Sequence, residues 1–180
     1  PAPVASAAPV EAARAQLALA RQAEKAGPLA ELEARVTADP ADHQARFDYA
    51  TALHAGGRVE EAIDQLLESF RRAGLEATVY HKGTVKPLPP GVDLTAYRIV
   101  QEALSNVLRH APGSESKVCL SREAGAVRVR VVNTLGNARP ASDGQNLGIV
   151  GMRERATLMG GQLDAGPNSE GEWAVQALVP

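Results

Sequence analysis

The sequence predicts helical hairpins followed by an α+β sandwich, and three observations carry that prediction. Up to about residue 72 the chain is rich in Ala, Leu and Glu, and its apolar residues recur at helical spacing. After Gly74 the apolar period shifts towards two in short runs bounded by Gly, Pro and Asn. Two further helical segments, over 97–111 and 146–159, interrupt those runs. The order after residue 74 is then strand, helix, hairpin, loop, helix, hairpin. That order collects helices on one face of a mixed, mostly antiparallel sheet.

The 180 residues suit one domain or two small ones. Aromatic residues make up only 3%, so the core is built mainly from Ala, Val, Leu and Ile. A net charge of −2 argues against a nucleic-acid partner held by phosphate attraction. No run approaches the roughly 20 apolar residues of a membrane span. The opening "PAPVASAAPVEAARAQ" lacks the basic and apolar regions of a signal peptide, and residues 1–9 read as a flexible leader. The missing Met at position 1 reads as a fragment or a processed chain. Cys119 is the only cysteine, so no internal disulfide and no Cys/His zinc pattern is expected. It reads as a small buried apolar residue, and a reducing cytoplasm is the default setting.

Residues 10–72 divide into four helices. "VEAARAQLALARQAEKAG" ends at Gly27 and Pro28. "PLAELEARVTADP" closes at Asp39 and Pro40. "ADHQARFDYATALHAGG" stops at Gly56 and Gly57, and "RVEEAIDQLLESFRRAG" follows. In the fourth, Val59, Ala62, Ile63, Leu66, Leu67 and Phe70 form one continuous apolar stripe. Small residues at Ala50, Ala52 and Ala62 let the last two helices approach closely. His43 and His54 read as plain helix-surface residues.

The last two helices resemble a tetratricopeptide repeat through Tyr49, Leu53, Ala55, Gly56, Glu61, Ala62 and Leu66. More narrowly, the stretch from Leu29 to Glu68 is similar to the helical tail of bacterial thioredoxin-like co-chaperones. The resemblance implies a module that binds a protein partner. One such unit cannot bury its own face and needs neighbours.

Beyond Gly74, "LEATVYHKG" alternates as a strand. "SKVCLSREAGAVRVRVVN" reads as a hairpin turning at residues 123–125, and "GQLDAGPNSEGEWAVQALVP" as another turning through 167–171. "YRIVQEALSNVLRHA" reads as an amphipathic helix. At about 100° per residue, Tyr97, Val100, Leu104, Val107 and Ala111 share one side. Glu102, Asn106, Arg109 and His110 share the other: a carboxylate, an amide, a guanidinium and an imidazole in one row. A solvated face and a binding face both fit that row. In "NLGIVGM", Gly148 and Gly151 bracket the start of the next helix, where glycines let a phosphate approach free N–H groups. Gly160 and Gly161 read as its C-terminal cap and turn.

From about residue 67 onward the chain resembles the GHKL ATP-binding domain of bacterial sensor histidine kinases, in the branch with the short dimerisation domain. "LPPGVDLTAYRIVQEALSNVLRHA" matches that branch's N box, and "NLGIVGMRERATLMGGQLDAGPNSEGEWAVQALVP" its second glycine box and final hairpin. The resemblance implies a Bergerat-type sandwich that binds ATP or ADP with Mg²⁺. It implies that Asn106 ligates Mg²⁺ through oxygen, as a hard cation requires. Glu102 would hold a Mg-bound water or polarise the attacking group, and Arg109 and His110 would meet phosphate oxygens. Gly148 and Gly151 would cradle the phosphates, and the polar loop "LGNARPASDGQ" would form a lid.

Two departures stand out. Asn133 in "VVNTLGN" occupies the place of the family's adenine-binding Asp, and Leu135 replaces the next Gly. Asn keeps a carbonyl acceptor but loses the strength of a charged one. No phosphoacceptor histidine in its usual setting is present, so the chain is not expected to autophosphorylate alone. The resemblance implies a phosphoacceptor-histidine domain or a response regulator supplied in trans, and the apolar stripe leaves room for a homodimer. The expected organisation is a leader over 1–9, a helical segment over 10–72 and the ATP-binding domain over 73–180. A binding protein with an inert ATP-like scaffold, formed by recombination or design, is the competing expectation.

Overall fold

The structure, a computed structural model, describes residues 13–14, 17–18, 20–21, 28–83, 91–123, 125–134 and 147–180, except for the side chains of residues 43, 123 and 147. Most of the first expected helix and the whole lid loop lie outside the described residues. Residues 13–14, 17–18 and 20–21 are helical where described.

Three helices come first: α1 (Leu29–Ala38), α2 (His43–Ala55) and α3 (Val59–Arg72). Asp42 caps α2 by accepting a hydrogen bond from the Ala45 N–H at 2.8 Å. The Gly56-Gly57 pair ends α2, with Gly57 at φ 76°, a left-handed backbone that glycine adopts freely. α2 and α3 pack as an antiparallel hairpin, with Ala50 and Ala62 fully buried between larger neighbours. In α3, Val59, Ala62, Ile63, Leu66 and Leu67 are all buried, and Phe70 is half-buried at the end of the stripe. The stripe faces α4 (Val92–His110) and strand β1 (Glu76–Lys82). The helices therefore share one core with the sheet domain, and each fully buried Leu or Ile in it contributes about 2 kcal/mol.

The remaining elements are β2 (Glu115–Glu123), β3 (Ala126–Thr134), α5 (Leu147–Leu158), β4 (Gln162–Pro167) and β5 (Glu172–Val179). The sheet order is β1-β2-β3-β5-β4. β1 runs parallel to β2, and every other pairing is antiparallel. The mixed sheet matches the sequence expectation. Gly160 and Gly161 end α5 with N–H bonds to Thr157 O and Ala156 O, as expected of a helix cap.

Register sorts the side chains into cross-strand rows, since residues directly opposite one another point to the same face. Three rows face α4. Val79, Val118, Val131, Val175 and Ala165 form the middle one. His81, Leu120, Val129, Ala177 and Leu163 form the next. Ala77, Ser116, Asn133, Trp173 and Pro167 form the row at the near end.

Two sequence expectations are corrected. His54 is buried rather than on the surface, because α4 lies against the end of α2; its ring stacks obliquely on Tyr97 at 4.9 Å between centroids. Cys119 is only half-buried, because its register with Tyr80 and Arg130 puts it on the face opposite the helices.

Candidate functional site

The helix α4 crosses the sheet antiparallel to β2. Its first turn lies beside Arg122, near the end of β2, and its last turn leads through Pro112 and Gly113 into the start of β2. This geometry brings Asn106 and Ser116 to the same end of the sheet.

At the opposite end the charged groups are paired, while the His54 ring nitrogens and the Tyr97 hydroxyl are buried without a hydrogen-bond partner. The Arg122 side chain is buried and donates from Nε to Glu60 Oε1 of α3 at 3.0 Å. A second guanidinium nitrogen stands 3.3 Å from Asp93 Oδ1 of α4. Burial raises the pKa of Asp93, and the Arg122 charge opposes that rise. Beside this cluster, burial pushes His54 down to about 4 and Tyr97 up to about 12.

At the site end, the apolar face of α4 packs as the sequence required. Tyr97, Val100, Leu104, Val107 and Ala111 are all buried. The polar row on the other side divides. Glu102 and Asn106 are half-buried, while Arg109 and His110 are exposed in the last turn. The covering element is α5, which packs on α4. A Cβ placed on Gly148 would stand 2.5 Å from Glu102 Oε1 and 3.1 Å from Asn106 Nδ2. A side chain at this position would require the ends of Glu102 and Asn106 to shift. Here the fit of the site to a nucleotide can be judged. A carboxylate and an amide meet a helix start whose first N–H groups lack intrahelical partners. Oxygen donors suit a hard divalent cation, and free N–H groups suit a phosphate. The Asn106 atom nearest Gly148 is Nδ2.

The sequence expected Gly148 and Gly151 to flank the start of the helix. As described, α5 runs from Leu147 to Leu158 and includes both glycines. On those bounds Gly148 lies in the first turn and Gly151 one turn further on. Gly151 instead carries the Arg155 guanidinium, whose nitrogens would lie 3.5 and 3.6 Å from a Cβ there. Arg155 Nε is buried with no hydrogen-bond partner.

Asn133 enters from the sheet, not from the helices. It is buried, and its Nδ2 donates to the Thr134 carbonyl at 3.0 Å. Ser116 lies opposite it on β2 and Trp173 on β5. Ser116 is fully buried, and neither its hydroxyl nor that of Ser114 has a partner. Sequence reasoning missed Ser114, Ser116 and Arg155. For Ser116 a signal existed: it is the polar member of an alternation whose next members, Val118 and Leu120, are both buried. Among the described residues no group of three His, Cys, Asp or Glu is arranged to hold a metal, and no helix is long and apolar enough to cross a membrane.

Comparisons with known proteins agree with both parts of the fold. A tetratricopeptide repeat family profile matches residues 22–78. The sensor histidine kinase YxjM of Bacillus subtilis is 34% identical over 127 residues, covering 63% of this chain and 29% of that protein. The sensor histidine kinase LiaS of the same organism is 33% identical over 110 residues, covering 59% of this chain and 29% of that protein. The chain therefore spans under a third of these relatives' length. Among solved structures, the histidine kinase domain of the Erythrobacter litoralis EL346 blue-light activated histidine kinase shares the fold. It has a TM-score of 0.55 at 18% identity, with 93% of this chain and 95% of that one covered. The catalytic domain of histidine kinase ThkA aligns with a TM-score of 0.50 at 15% identity, over 69% of this chain and 90% of that one. The C-terminal part of the chain is similar to the ATP-binding domains of sensor histidine kinases, and tetratricopeptide-like helices precede it.

Proposed function

We propose that this chain binds ATP with Mg²⁺ between α4 and α5 and presents the γ-phosphate to a histidine on another domain. The observation that supports this reading is the approach of Gly148 to Glu102 and Asn106, which a methyl group would crowd. Asn106 offers an amide oxygen to the cation and Glu102 holds a water or polarises the attacking imidazole. The first N–H groups of α5 receive phosphate oxygens. Arg109 and His110, exposed in the last turn of α4, face outward where a triphosphate tail emerges. Bound Mg²⁺ neutralises phosphate charge and so favours transfer.

The phosphoacceptor domain, and a response regulator after it, come in trans. The tetratricopeptide-like helices take a protein partner, and a second copy of the chain is a further candidate. A chain that spends ATP works in the cytoplasm.

Titration calorimetry tests the reading. The full chain is expected to bind ATP or ADP in a Mg-dependent manner, and Asn106→Ala to abolish the Mg dependence. Absence of heat with the unaltered chain at millimolar nucleotide would show that the site is inert.

A further inference from the structure

We infer that Arg46 of α2 takes a carboxylate from the acidic side chains of the helical segment's protein partner. The inference rests on the reading above that the tetratricopeptide-like helices bind a protein. The arginines of these helices differ in how they are matched. Exposed Arg35 pairs with Asp42 and exposed Arg58 with Glu61, while exposed Arg71 and Arg72 share Glu68. Arg46 is only 5% exposed, yet among the described residues it makes no ion pair. Its two acceptors are neutral: Nη1 donates to Gln65 Oε1 at 2.9 Å and Nη2 to the Pro40 carbonyl at 3.4 Å. A buried cation without an anion is costly, and one bound carboxylate removes that cost.

The bonding also shows which side of the guanidinium is open. Nε and Nη2 form one edge of the planar group, an edge that can grip both oxygens of a carboxylate. Nε is buried with no hydrogen-bond partner. Nη2 reaches its carbonyl only at 3.4 Å, beyond the usual length of such a bond. Nη1, on the other side, is committed to Gln65. The open edge therefore lies at the turn between α1 and α2, where Pro40 and Ala41 are exposed and a partner can approach. Burial and then the neighbouring Arg72 charge lower the Arg46 pKa, and Glu68 opposes them. Because Arg71 and Arg72 already draw on Glu68, this corner of the hairpin favours an acidic guest.

Nitrogen-15 spectra of the full chain test this, with the Arg46 Nε–H resonance assigned by its loss in Arg46→Lys. The probes are sodium acetate and an acetylated, amidated peptide of alternating Asp and Glu. Both are expected to move the resonance to saturation, and sodium chloride of equal ionic strength to leave it in place. Arg46→Lys keeps the charge but loses the fork, and should weaken the peptide by about tenfold. Gln65→Glu supplies an internal carboxylate at Nη1, and should weaken the peptide while raising the melting temperature. A resonance unmoved by both probes overturns the inference and leaves the partner reading standing. Peptide binding that leaves this resonance in place does the same. Response to acetate without response to the peptide denies this face a protein partner, and overturns the partner reading along with the inference.

Discussion

The two ends of α4 treat charged groups in different ways. At its first turn, Asp93 meets Arg122, and Arg122 also reaches Glu60 of α3. Three elements are tied by charges that find one another inside the protein. At its far end, Glu102 and Asn106 sit under a glycine, and the Ser114 and Ser116 hydroxyls have no partner. Both ends hold buried groups without hydrogen-bond partners, the His54 ring and the Tyr97 hydroxyl at the first and the Ser114 and Ser116 hydroxyls at the second. Charge pairing separates them: the first end joins its charges to one another and serves stability, while the second holds the Glu102 carboxylate and the Asn106 amide proposed to take Mg-nucleotide.

The contrast can be broken most forcefully at the charge-paired end. Arg122→Ala leaves two half-buried carboxylates without their shared counter-charge and removes a well-packed side chain, and should destabilise the fold by about 2–3 kcal/mol. A urea melt would show it. If the midpoint barely moves, the cluster is ornamental and the contrast fails.

A smaller effect is expected from pH. Burial holds the folded His54 pKa near 4 against an ordinary 6.5. The unfolded chain therefore binds a proton that the folded chain refuses. Stability from this group is whole above about pH 6.5 and is lost as pH falls towards 4, amounting to about 2 kcal/mol by pH 5. Comparing melts of the unaltered chain and His54→Phe between pH 7 and 5 isolates it. Equal slopes in the two proteins would contradict the assignment.

The smallest effect sharpens the contrast most. Gly148→Ala should weaken Mg-nucleotide binding by at least about tenfold, or 1.4 kcal/mol, because its methyl group displaces the Glu102 carboxylate. Within a helix the same change favours folding by up to about 1 kcal/mol. Affinity and stability should thus move in opposite directions, measured by calorimetry and by melting. A joint loss of both would mean that Gly148 is merely structural.

Much of this arrangement was legible in the sequence, for identifiable reasons. The α4 face was readable because helical period alone decides which residues share a side, and Tyr97, Val100, Leu104, Val107 and Ala111 all proved buried. The α3 stripe was readable on the same ground. His54 was misread because its burial depends on α4, nearly forty residues onward, and local pattern carries no such contact. Cys119 was misread because one step of strand register selects the face. The polar row of α4 gave four candidates at equal weight. Only the seat of α5 distinguishes half-buried Glu102 and Asn106 from exposed Arg109 and His110. The meeting of Ser116 with Asn133 depends on hairpin register, which fixes partners that single-strand reading leaves unpaired.

The strand order also has a consequence for how this chain behaves in a crowd. Among the described residues the sheet ordered β1-β2-β3-β5-β4 is not closed, and β1 and β4 are its edges. Such edges template aggregation unless something discourages a newcomer. β4 is six residues long, carries exposed Asp164 and ends in Pro167, which has no N–H to offer. β1 begins at exposed Glu76 and finishes at exposed Lys82, so charge stands at both ends of the rim around Tyr80. Each rim thus carries its own deterrent against fibre-like stacking, independent of any ligand or partner.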